Sequence, residues 1–225
     1  MKHKRIKAPK LRQCLEAAAA VIVAEEPRLN ALDSAIGDGD HGITMRIGFE
    51  AVKQKLSILP ESAGIGEVLK ESGSAFMGAT GGAIGPLLGG MLASGEKALS
   101  GRTEMGPDEF RLWLAAMETS LSRMGKAKPG DKTILDAVHA SCQAASQTGS
   151  DSIGEVCAKA AEAATLAAQM TATMLSVKGR SSRLGERVLG HPDPGAVSFS
   201  LILHAFANCL KEAADETDRP MSAGR

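Results

Sequence analysis

Apolar residues along this chain recur at intervals of three and four rather than two, the spacing that lines one face of an α-helix. Between 152 and 176, Ile153, Val156, Cys157, Ala160, Ala164, Ala167 and Ala168 form one such stripe, and its small members let neighbouring backbones approach closely. Between 108 and 124, Phe110, Leu114, Met117 and Leu121 repeat the spacing after Pro107. No stretch alternates β-branched and polar residues, and strong helix formers (Ala, Leu, Met, Glu, Gln, Lys) fill the long segments. The pattern predicts an all-α fold with eight helices near 11–26, 41–58, 64–77, 84–99, 108–124, 132–147, 152–176 and 195–215. Residues 1–10 read as a basic N-terminal tail, 11–215 as a single domain, and 216–225 as a flexible C-terminal tail.

The connections are of two kinds. Those after the second, fourth and sixth helices are ordinary polar turns, LPESAG, SGRTEMGP and TGSDS. Those before the second, fourth, sixth and eighth are unusual: IGDGD, ATGGA, MGKAKPGDK and GRSSRLGERVLGHPDPG. In an up-and-down bundle alternate connections emerge at the same end, so these four belong on one rim. Each precedes a helix N-terminus, where unpaired N–H groups and the helix dipole favour anions. Four such ends on one rim would make a polyphosphate site.

The densest chemistry is Leu32-Asp33-Ser34-Ala35-Ile36-Gly37-Asp38-Gly39-Asp40-His41-Gly42. Spacings of five and two cannot put Asp33, Asp38 and Asp40 on one helical face, so a tight glycine-rich loop must gather them. Crowded carboxylates repel one another unless a cation compensates, and an all-oxygen set with few protein ligands suits Mg²⁺, which completes its shell with water and phosphate. Helix caps for Asp38 and Asp40 are the structural alternative. His41 and Thr44, one turn apart at the next helix start, could meet a phosphate. Thr80-Gly81-Gly82-Ala83-Ile84 offers bare backbone to a ligand, yet lacks the Gly-Lys-Ser/Thr ending of a P-loop. In the third loop Asp131 reads as an N-cap and Lys132 as a surface residue or a phosphate partner, with Ile134 and Leu135 as an apolar edge for a purine. The fourth carries Arg180, Arg183 and Arg187, of which one or two should act directly on polyphosphate. Asp193 follows, between two prolines, placed for a metal-held water or a ribose hydroxyl.

Composition narrows the field. Lys plus Arg and Asp plus Glu both number 26, so a zero formal charge argues against nucleic-acid binding. Four scattered cysteines without a CxxC pair, and no apolar run long enough to span a bilayer, predict a reduced, cytoplasmic chain without a membrane anchor. No nucleophile elbow or obligatory general base stands out, which leaves Mg²⁺-assisted phosphoryl transfer as the leading chemistry. A metal-dependent phosphatase or pyrophosphatase, and a helical adaptor or regulatory protein, are the alternatives.

The segments LDSAIGDGDHG, GGAIGP, KPGDKT, GRSSRLGER and GHPDPGA, in this order, resemble the nucleotide-binding L subunits of bacterial dihydroxyacetone kinases. The resemblance implies an eight-helix up-and-down, barrel-like bundle with ADP or ATP and two Mg²⁺ ions at one end. It implies Asp33, Asp38 and Asp40 as magnesium ligands. It further implies His41, Gly42, Ile43, Thr44, Ala83, Ile84, Gly125, Ile134, Arg180, Asp193, Pro194 and Gly195 as nucleotide contacts. By the same resemblance the acceptor, dihydroxyacetone or a related keto-sugar such as a tetrulose, sits on a separate K subunit. The further partners implied are a phosphoryl-donating M subunit, a transcription regulator and further copies of the chain itself. The chain is expected to carry the nucleotide domain alone and to be inactive toward free triose without its partner.

Overall fold

A computed structural model describes residues 4–216, with side chains as far as Lys211. Nine α-helices occur among the described residues: α1 (Ala8–Ala24), α2 (Glu26–Ser34), α3 (His41–Ile58), α4 (Ile65–Ala79), α5 (Ile84–Ala98), α6 (Pro107–Gly125), α7 (Ile134–Gln147), α8 (Ile153–Met170) and α9 (Pro194–Glu216). Eight match the helices expected from periodicity. The ninth, α2, falls where periodicity predicts a connection: only Leu29 in it is buried, so it carries no apolar stripe. Pro27 lies in its first turn, where a missing N–H costs nothing, and separates it from α1.

The N-terminal boundary also differs. Strand β1 (Ile6–Lys7) pairs antiparallel with β2 (Glu104–Met105), and α1 starts at Ala8 with Pro9 in its first turn, so the chain is structured well before residue 11. Two-residue strands are too short to show alternation. The expected tail after α9 lies, beyond Glu216, outside the described residues. Helix α8 ends at Met170 and continues as a 3₁₀ turn, Thr171–Thr173. A second 3₁₀ segment, Arg180–Val188, broken at Gly185, follows within the long connection to α9.

The helices form an all-α bundle. α1 packs against α3 and α9, and α3–α4, α4–α5, α5–α6, α6–α7, α7–α8 and α8–α9 are neighbours in turn. α2 packs mainly on α3. Apolar stripes from these helices fuse into one core, with Trp113 between Phe110 and Phe206 at ring-centroid distances of 6.3 and 5.9 Å. Small residues set the closest approaches. A Cβ at Gly89 would lie 2.7 Å from the Gly73 carbonyl and 2.8 Å from the Met77 Cβ, so α4 and α5 touch backbone to backbone. Ala160, Ala161 and Ala164 are fully buried on α8, which packs closely between α7 and α9. None of the described helices is long and apolar enough to cross a membrane.

Candidate functional site

The acidic loop is held from α2. Asp33 lies in its last turn, and its Oδ2 accepts the N–H groups of Gly39 (2.9 Å), Asp40 (3.1 Å) and His41 (3.3 Å). One turn earlier on the same face, the Asn30 side-chain oxygen accepts the Ile43 N–H at 3.1 Å. Two side chains of α2 thus satisfy free amides at the start of α3, the helix end that lacks a cap from Asp40 itself. Gly39, at φ +82°, turns the chain where other residues would be strained. The result brings carboxylate oxygens of Asp33, Asp38 and Asp40 within 4.8 Å of one another. Like charges this close need a counter-ion, and three oxygen donors on a partly exposed rim fit a hydrated Mg²⁺. Asp38 also pairs with the Arg180 guanidinium.

His41 opens α3 but points inward. It is buried, and its Nε2 lies 3.1 Å from Ser198 Oγ on α9. Ser198 donates its one proton to the Gly195 carbonyl at 3.0 Å, so His41 Nε2–H is the donor to Ser198 and is not offered to a phosphate. Burial pushes the imidazole down to about 4, with Asp33 opposing, and the ring is neutral at pH 7.

The other three loops meet the first at a cavity of about 950 Å³. The second contributes Gly81, Gly82 and Ala83, the last at an α5 start without a side-chain cap. In the third, α6 closes at Gly125. Thr133, not Asp131, caps α7, through a reciprocal pairing with Asp136. The fourth contributes Lys178, Gly179, Arg180, Ser181, Asp193, Pro194 and Gly195. Asp193 Oδ2 accepts the Ala196 N–H at 2.8 Å at the start of α9. Its carboxyl is pushed up to about 7, chiefly by burial against the help of that amide, with Asp136 and Asp33 adding repulsion and Lys132 opposing them. The lining divides by chemistry. Ile84, Leu87, Leu121, Met124, Ile134 and Leu135 give an apolar wall, and the acidic loop and Arg180 give a charged one.

Of the expected site residues, Asp33, Asp38, Asp40, His41, Thr44, Ala83, Ile84, Gly125, Ile134, Arg180, Asp193, Pro194 and Gly195 line this cavity. Gly42 and Ile43 do not: Gly42 is buried against α2, and the Ile43 side chain is 40% exposed with its amide given to Asn30. Arg183 and Arg187 are exposed and outside the lining. Lys132 departs most from its reading. It is 1% exposed, and its Nζ donates to three backbone carbonyls, so it is neither a surface residue nor directed at a ligand. Asn30 and Ser198 have no signature in the sequence, since a lone amide and a lone hydroxyl carry no motif.

Fold and site together define an all-α bundle in which four loops line a cavity with one apolar wall and one wall of clustered carboxylates. Residues 35–208 match the DAK2 domain, and the chain belongs to the DAK2 domain family. Over 197 residues it is 38% identical to the ADP-binding subunit DhaL of PEP-dependent dihydroxyacetone kinase 2 from Listeria innocua, covering 86% of this chain and 91% of that one. It is 36% identical over 195 residues to the ADP-binding subunit DhaL of the PEP-dependent dihydroxyacetone kinase of Escherichia coli, covering 85% of this chain and 92% of its relative. The crystal structure of the dihydroxyacetone kinase from C. freundii in complex with AMP-PNP and Mg²⁺ superposes with a TM-score of 0.70 at 22% identity. That match covers 92% of this chain and 35% of the kinase, about a third of its length, and concerns the fold.

Proposed function

We propose that this chain is the nucleotide-binding subunit of a dihydroxyacetone kinase or a closely related keto-sugar kinase, carrying Mg–ADP or Mg–ATP in the cavity. The observation that carries the reading is the trio Asp33, Asp38 and Asp40 gathered at the N-terminus of α3, beside the uncapped start of α5. When bound, Mg²⁺ supplies charge neutralisation for phosphate oxygens. The chain's own residues do the rest. Asp33 fixes the loop; Thr44 and the backbone at Ala83 and Ile84 offer donors for phosphate; Arg180 adds a positive charge beside Asp38. Ile134, Leu135 and the α5–α6 wall accept an adenine, and Gly125 and Pro194–Gly195 leave room for it. Asp193 is available for a ribose hydroxyl or a metal-held water. No residue of the chain is assigned as base, in keeping with an acceptor held on a separate K subunit.

The order of helix neighbours, with α1 beside both α3 and α9, supports a closed ring of the eight long helices as an up-and-down barrel, with α2 outside it. Residues 11–215 are its domain in this reading, extended at the N-terminus to Ala8. Two Mg²⁺ ions, a phosphoryl-donating M subunit, contact with a transcription regulator, self-association and a cytoplasmic site of action belong to the same proposal.

Calorimetric titration of metal-stripped protein with MgADP tests the central claim. Saturable binding is expected, abolished in Asp38→Ala while far-UV circular dichroism stays helical. Rapid phosphate release from ATP by the isolated chain would instead favour a hydrolase, whereas transfer that begins only after a K-type subunit is added supports the kinase.

A further inference from the structure

Lys132 occupies an unusual place for a lysine. Its Nζ lies 2.6 Å from the Thr171 carbonyl, 3.0 Å from that of Val188 and 2.6 Å from that of His191. An ammonium has three protons, and these acceptors consume all of them. Its backbone is also held at φ +58°, a region that side chains other than glycine seldom adopt and that persists only where surrounding contacts over-determine it. The three carbonyls come from the two ends of one segment. Thr171 begins the connection between α8 and α9, and Val188 and His191 end it. Further hydrogen bonds close the same neck: Gly190 N–H to the Ala172 carbonyl at 2.8 Å, and Asp193 N–H to Thr171 Oγ1 at 2.8 Å. Inside the neck, Val177 N–H reaches the Asp131 carbonyl at 3.2 Å. Beyond it the segment is open, with Leu175, Val177 and Leu189 exposed and Gly179 and Gly185 at positive φ. At its crest Arg180 meets Asp38 of the acidic loop.

We propose that Lys132 is a positioning residue. Its ammonium pins both ends of the 171–191 segment, so that Arg180 is delivered to the acidic loop and Asp193 to the start of α9. A lysine in a glycine- and aspartate-rich loop beside a phosphate-type cavity invites the opposite assignment, a direct contact to phosphate. The three carbonyls leave no proton for that contact. Where nucleotide affinity is the readout, the inference rests on the function proposed above; where the segment itself is observed, it does not.

Hydrogen exchange of the ligand-free protein comes first. In Lys132→Met, amides of Val177 and Gly190 and those across 174–189 should exchange at least about ten-fold faster, with the helices of the bundle unchanged, the signature of a local rather than a global opening. Lys132→Ala should behave alike, and added propylammonium, which replaces the deleted atoms, should restore protection. Lys132→Arg keeps the charge but not the compact three-carbonyl fit, so it should fold and lose part of the protection. Calorimetry with MgADP follows: Lys132→Met and Arg180→Ala should each weaken binding by about ten-fold, and the double variant by clearly less than the product of the two losses, because both act in part through Arg180. Unchanged exchange at 174–189 in Lys132→Met and Lys132→Arg would overturn the proposal, as would affinity losses that multiply in the double variant. Failure of the wild type to bind MgADP would remove the functional reading, while exchange and its rescue would still decide the role of Lys132.

Discussion

At Asp33 one carboxylate oxygen is committed to the amides of Gly39, Asp40 and His41, and an ionised carboxylate retains lone pairs on the other for a cation. Two substitutions should therefore separate structure from metal binding. Asp33→Asn keeps an acceptor for the amides and removes the charge, so thermal unfolding should shift little while Mg²⁺-dependent nucleotide binding falls sharply. Asp33→Ala strips the acceptor as well and should also cost about 1–3 kcal/mol of stability, the penalty for leaving such amides unmade. Equal melting temperatures for the two variants would reject the anchoring role. Asp193 allows a pH test. Its carboxyl rises from 3.8 to about 7 on folding, chiefly because it is buried. A raised acid favours the folded state most while it is protonated, so its contribution is full below pH 4 and is lost as pH climbs through 7. Asp193→Asn keeps the Ala196 contact and cannot ionise. Its stability relative to wild type should be near zero at pH 4 and rise to a plateau on the order of 2 kcal/mol by pH 8, a value discounted for the open cavity beside the group. Chemical denaturation of both proteins across that range checks the sign.

The α4–α5 pair is a matter of element geometry. Gly73 lies against Gly89 and Ala93 with no room for a methyl group, so Gly73→Ala should force the helices apart and cost about 1–3 kcal/mol. Gly78 is exposed near the end of the same helix, with nothing within 4 Å of a Cβ, and Gly78→Ala should be neutral or stabilising by up to about 1 kcal/mol through helix propensity alone. Opposite signs in urea melts are the expected outcome, and equal effects would mean that propensity rather than contact governs the pair. Elements with a stripe were legible in the chain. Phe110, Leu114, Met117 and Leu121 mark α6, and all four are buried. Helix α2 was not legible, since one buried leucine gives no period, and yet it builds the site by presenting Asn30 and Asp33 to α3. The four-loop rim could be anticipated because alternation of helix direction is topological and survives errors of a few residues. Lys132 could not, because its burial depends on carbonyls 39 to 59 residues away, which no local pattern encodes.

For the molecule as a whole, balanced charge conceals a local imbalance. The chain carries 26 basic and 26 acidic residues, but the cavity faces its ligand with the clustered Asp33, Asp38 and Asp40 against Lys178 and Arg180, since Lys132 is spent on carbonyls and the Asp193 carboxyl, raised to about 7, carries only part of a charge at neutral pH. Adding a polyphosphate to three clustered carboxylates without a cation brings like charges together, and adding the cation alone leaves its shell to water. Each ligand should therefore bind weakly by itself and tightly in the company of the other, and by linkage the two enhancements must be equal. Because the cavity draws on loops from α2–α3, α4–α5, α6–α7 and α8–α9, occupancy ties most of the bundle together, and its effect should appear as global stability rather than local order. At a hundred times the dissociation constant the gain is about 2.7 kcal/mol, which for a domain of this size is roughly 5–10 °C in melting temperature. Scanning calorimetry with MgADP should show that rise, with ADP plus chelator or Mg²⁺ alone giving only a small fraction of it. A full shift with ADP in the presence of chelator would mean that the nucleotide is held without the carboxylate trio, and that the trio is compensated by Arg180 alone.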